Sequence, residues 1–133
     1  MFILSVYTQI SEVINVRVII TMGLLLSLVG CANQTVRVYE DTGEIQCEGG
    51  GVTLSENKAK LTNAGIDVID SQCGVQTGIA VMAVCGGSTV NIHTHEIKAH
   101  NLDKAEELGF ANITTLVNKE SGTGYEFKPC PDA

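Results

Sequence analysis

The chain is short of basic residues. It has 8 Lys and Arg against 15 Asp and Glu, and a formal net charge of −7 over 133 residues. Neutralising phosphates with Lys and Arg is the main source of nucleic-acid affinity, so this balance excludes a nucleic-acid partner. It also excludes charge as the force that holds the protein at an anionic membrane surface. Several catalytic signatures are missing too. There is no G-x-x-x-x-G-K-[ST] and no G-x-G-x-x-G, and the triple glycine Gly49-Gly50-Gly51 is flanked by Glu44 and Glu48, which repel phosphate. Three glycines before a helix read instead as a sharp link between elements. Gly86-Gly87-Ser88-Thr89-Val90 is not the G-x-S-x-G turn that strains and exposes a serine nucleophile. Asp67 and Asp70 are three apart, so on a strand they point to opposite faces and do not make an acid/base pair. No C-x₂₋₄-C pair is present, which argues against a structural zinc site. The expectation is a non-enzyme without a resident cofactor.

What is present begins with an apolar run. Val18 to Val29 is apolar except for Thr21, Gly23 and Ser27. That is too short to span a bilayer, which takes about 20 residues, but it fits the core of a signal peptide. The run ends in Leu28-Val29-Gly30-Cys31. These residues resemble the lipobox of bacterial lipoproteins, in which the cysteine is lipidated and becomes the new N-terminus. The resemblance implies that residues 1–30 are a signal peptide, that Cys31 carries lipid, and that 31–35 form a short tether. It also implies a place in the cell envelope. Ala32 and Asn33 follow the cysteine, rather than the Asp associated with inner-membrane retention, so the expected location is the outer membrane, facing the periplasm. One feature departs from the pattern: Met1 to Asn15 contains no Lys or Arg and carries Glu12. Translation from near Val16 would give an ordinary short start with Arg17 as its positive charge, leaving 1–15 untranslated. The competing reading is an uncleaved membrane helix from about Val13 to Ala32, with Arg17 snorkelling to the interface.

Beyond Cys31 the chain is long enough for one domain. Four cysteines remain: Cys47, Cys73, Cys85 and Cys130. An even number in an oxidising compartment predicts two disulfides. The favoured pairing is Cys47–Cys73 with Cys85–Cys130. It assumes that Cys47 and Cys73 end parallel strands of one right-handed unit. Cys73–Cys85 is disfavoured, because a hairpin across Gly74–Thr77 would separate the two by seven residues, roughly 23 Å at strand rise.

The pattern predicts an α+β fold: a small two-layer sandwich with a mixed sheet of four or five strands and two helices on one face, spanning 36–120. Val36–Tyr39 alternates and pairs with Glu44–Cys47 across Asp41-Thr42-Gly43. Thr53 and Glu56 form a capping box for a helix ending at Gly65. Ile66–Asp70 and Thr89–Ile97 read as strands. Gly78–Cys85, almost continuously apolar, reads as a central strand covered on both faces. A second helix runs from Leu102 to Leu108, capped by Asn101, and Ile113–Val117 is the last strand. Residues 121–133 form an irregular tail pinned by Cys130.

His93-Thr94-His95 is the main chemical candidate. On a strand the two imidazoles share a face, and His100, Glu96 and Asp103 are near in sequence. Zinc or copper needs two or three such ligands, so a periplasmic metal-binding protein is the alternative function. The leading expectation is an exported, lipid-anchored binding or structural module. Its partners are the membrane, through lipid, and another envelope protein. Asn33-Gln34-Thr35 and Asn112-Ile113-Thr114 match the glycosylation acceptor pattern, which matters only in a eukaryotic secretory pathway.

Overall fold

The computed structural model describes residues 33–131. The expected signal peptide and the lipobox-like Leu28-Val29-Gly30-Cys31 lie outside the described residues. Gln34–Ala133 forms one compact unit.

Five strands make one sheet: β1 (Thr35–Asp41), β2 (Val68–Thr77), β3 (Asn91–Lys98), β4 (Ala111–Asn112) and β5 (Gly124–Lys128). Their order is β4-β1-β3-β2-β5, and every pairing is antiparallel. The expected α+β architecture is present, but the sheet is not mixed. Parallel strands need a crossover connection, and here the chain returns from β2 through the loop over residues 78–90 into β3, antiparallel beside it.

Helix α1 (Leu54–Asn63) starts where its sequence says it should. The Thr53 side chain accepts from the Glu56 amide, and the Glu56 carboxylate accepts from the Thr53 amide. Helix α2 (Leu102–Glu107) continues a 3-10 turn over Ala99–Asn101, so Asn101 makes no side-chain cap. Leu61 of α1 and Ala105 of α2 join Val38, Ile66, Ile97 and Phe110 in one buried cluster. Both helices therefore cover the same face of the sheet.

The opposite face closes on itself. Arg37 on β1 hydrogen-bonds Asp70 and Thr94, and its guanidinium lies 5.2 Å from the centre of the Phe127 ring on β5. Three inter-strand spacings of about 4.8 Å separate those strands, so the sheet must bend inward on this side. Ile92 and Thr94 are buried.

Several expected elements differ. Glu44–Cys47 does not pair with β1; Ile45 makes only isolated bridges to Gly49 and Ser88. Ile113–Leu116 is a 3-10 turn rather than a strand, because the Asn112 side chain accepts from the Thr114 amide and turns the chain. The tail is not irregular: β5 pairs with β2 from Cys73↔Lys128 to Thr77↔Gly124. The largest difference is at Gly78–Cys85. It is no central strand, since β2 runs on to Thr77 and itself takes the place beside β3. Gly78 then turns the chain out with φ +72°, where a Cβ would lie 2.2 Å from the Gly122 carbonyl oxygen. Residues 78–86 are all exposed.

Two disulfides form, with a pairing that corrects the expected one: Cys47–Cys85 and Cys73–Cys130. The expectation rested on Cys47 ending a parallel strand, and no such strand exists. Cys47 and Cys85 instead sit on two loops at the same end of the sheet. Cys73 lies on β2 beside β5, which delivers Cys130 to it. Cys73 and Cys85 are indeed not bridged.

Candidate functional site

The alternation of β3 places His93 and His95 on the helix-covered face and turns Thr94 to the other. Both imidazoles are buried. The rest of the expected ligand set is not brought to them. Glu96 faces the opposite side, where it meets Thr35 and Arg37. His100 belongs to the 3-10 turn and Asp103 to α2. Among the described residues no group of three or more His, Cys, Asp or Glu is placed to hold a metal ion.

His95 is the centre of a polar chain through the core. Its Nδ1 lies 2.8 Å from Ser71 Oγ on β2, and its Nε2 lies 2.7 Å from Asn57 Oδ1 on α1. The Asn57 amide nitrogen donates to Glu40 Oε2 on β1, which also accepts from Lys60. A carboxylate only accepts, so Asn57 must present its oxygen to His95. That fixes the tautomer: Nε2 carries the proton, and Nδ1 accepts from the Ser71 hydroxyl. A metal ion at His95 would have to displace Ser71 or Asn57.

The environment keeps this ring neutral. Burial pushes its pKa down from 6.5 to about 4. The electrostatic effects of His93, Lys58 and Arg37 add to that, and Asp70 opposes it. Removing an imidazolium from water without a carboxylate partner is unfavourable, and Asn57 supplies no charge. Phe110 packs edge-on to the ring at 5.9 Å between centroids. The sequence offered His95 as a ligand; the structure uses it to tie β3 to β2 and α1. Ser71 and Asn57, its partners, have no local signal that could have identified them.

His93 lines two clefts that also share Cys73 and Pro131. One, about 370 Å³, opens between the first turn of α1 (Leu54, Ser55, Lys58) and Ser71. The other, about 230 Å³, runs toward Glu44, Asn91 and Lys128. In it, Asn91 accepts from Lys128 and donates to Glu44, so both charged side chains are engaged by the same amide.

The remaining candidates are structural. Gly51 packs against the carbonyl of Thr42, where a Cβ would lie 2.5 Å away. The triple glycine therefore folds the loop back rather than cradling an anion. Asp70 is held by Arg37 at 2.7 Å. Asn112 caps its own turn.

Beyond the strands, residues 42–53 and 78–90 form a tip. Gln46 stitches the two loops, donating from its side chain to the carbonyls of Met82 and Ser88. Its amide donates to Gly87, and its carbonyl accepts from Gly86. The Cys47–Cys85 bridge locks them. Exposed on this tip are Val52, Ile79, Val81, Met82 and Val84, with Met82 at 76 %.

No protein-family model matches the chain, and neither does any curated protein or any solved structure.

Proposed function

We propose that this is an exported, lipid-anchored protein of the cell envelope that acts as a binding module without catalysis or a resident cofactor. The observation that carries the reading is the cysteine arithmetic. Cys47 pairs with Cys85 and Cys73 with Cys130. The odd cysteine, Cys31, is the one that closes the lipobox-like Leu28-Val29-Gly30-Cys31. Two bridges within one small domain fit an oxidising compartment and not a reducing cytosol. Ala32 and Asn33 after the cysteine favour the outer membrane, with the domain in the periplasm. With a net charge of −7, lipid rather than electrostatic attraction provides the membrane contact.

The buried chain from Ser71 to Lys60 supports a binding role over an enzymatic one. A base held neutral down to about pH 4 is a weak proton acceptor at neutral pH. The test is the intact mass of the protein from a membrane fraction, alkylated with and without reduction. The expected species begins at Cys31, carries acyl chains and gains four alkyl groups only after reduction. An unacylated species with free thiols overturns the reading.

A further inference from the structure

We infer that the disulfide-locked tip is the docking surface, and that its partner is a protein presenting an apolar cleft rimmed by Lys or Arg. The surface is unusual in kind. Gly78 to Val84 is an unbroken exposed stretch whose only non-apolar member is the glycine, and Val52 adds to it from the neighbouring loop. Contiguous exposed apolar surface on a small domain marks an interaction site. The segment is also held in place. The Cys47–Cys85 bridge and the four hydrogen bonds of Gln46 fix its backbone, so little ordering is left to do on binding.

Charge decides the occupant. Residues 77–92 carry no charged side chain, and residues 41–53 carry Asp41, Glu44 and Glu48 but no Lys or Arg. Asp41 and Glu48 are exposed. An apolar centre with an acidic rim complements a basic rim and is repelled by an anionic lipid surface. The same rim disfavours a second copy of this chain, which would set like charges against each other. Position agrees. The chain enters the sheet at Thr35, and the tip lies past the other end of β1, about 20 Å along the strand. The tip is thus at the opposite end of β1 from the point where the chain enters the sheet.

The inference rests on the reading of the chain as an exported binding module, and the two can fail separately. The full chain is produced in bacterial cells with a photo-crosslinking residue at Met82 or, as a control at the Thr35 end, at exposed Ile69. The expected result is a discrete protein adduct from Met82 and none from Ile69. The adduct falls about tenfold in Val81→Asp, the loss when a charge is buried at an interface centre without a partner. It falls about two- to fivefold in Glu48→Lys, the size of one rim charge contact. An adduct with twice the chain's mass, a lipid adduct, no adduct, or a protein adduct indifferent to both substitutions overturns the inference. An intact mass showing acylation and two bridges alongside any of these outcomes leaves the anchor reading standing and removes only the docking surface.

Discussion

The two ends of this domain hold their shape by different means. At the helix-covered end, Val38, Leu61, Ile66, Ile97, Ala105 and Phe110 bury one another almost completely. At the tip, an equally apolar segment stays exposed, with none of Ile79, Val81, Met82 and Val84 in the buried core, and a disulfide with a few hydrogen bonds holds it. Apolar character is therefore no guide to where the core lies. Burial needs a second surface, and the helices supply one on only one side of the sheet. An apolar segment that no element covers can still be ordered when covalent and polar links replace packing, and it stays available to something else.

The comparison can be broken at its strongest point first. Leu61→Ala removes a fully buried side chain between α1 and the sheet. It should cost about 2–5 kcal/mol in chemical denaturation. A loss under 1 kcal/mol would mean that the helices add little to the core. Next, replacing Cys47 and Cys85 together by Ser opens a link between residues 38 apart. The expected loss is about 2–4 kcal/mol, and limited proteolysis should cut between Gly78 and Gly86 before any site in β1 or β3. Cleavage that begins elsewhere would show that the bridge is not what orders the tip.

Acid should act on the core through His95. His95 is neutral when folded, with its pKa lowered to about 4, while the unfolded chain has the ordinary 6.5. The unfolded state therefore binds a proton first as pH falls. Stability contributed by the neutral ring is complete above about pH 6.5 and is lost as pH drops toward 4, by about 2 kcal/mol at pH 5. His95→Gln should flatten that part of the pH profile; an unchanged profile would assign the acid sensitivity to other groups. Smaller still, Thr53→Ala should cost about 1 kcal/mol by removing the cap of α1. At the bottom of the scale, Val81→Ser should shift stability by less than about 0.5 kcal/mol, because the residue is 46 % exposed and lies outside the buried core. A loss comparable to that of Leu61→Ala would make the tip a second core and end the contrast.

Much of the first region was legible and little of the second. The capping box at Thr53 and Glu56, the glycine stop at Gly65 and the strand over His93–His95 follow from local rules that involve neighbouring residues. Gly78–Val84 misled for a physical reason: an apolar run has the same composition whether it lies inside a sheet or protrudes from it, and only the competition for a place beside β3 separates the two. That place went to Val68–Thr77, which pairs antiparallel with β3 while residues 78–90 loop out between them. The disulfide pairing failed with it, since it was inferred from a strand order that does not occur. At the histidines, alternation correctly put both rings on one face but could not say that Ser71 and Asn57, 24 and 38 residues away, would occupy both nitrogens of His95.

By itself the sequence determined what depends on composition and on short spacing. It set the acidic balance, the even count of cysteines after Cys31, the two helices with the cap of the first, and the shared face of His93 and His95. Tertiary structure alone decided which strands pair, which cysteines meet, and which of two apolar segments is buried. These outcomes depend on contacts between residues far apart in the chain. Segments compete there for the same neighbours, and no local pattern records which one wins.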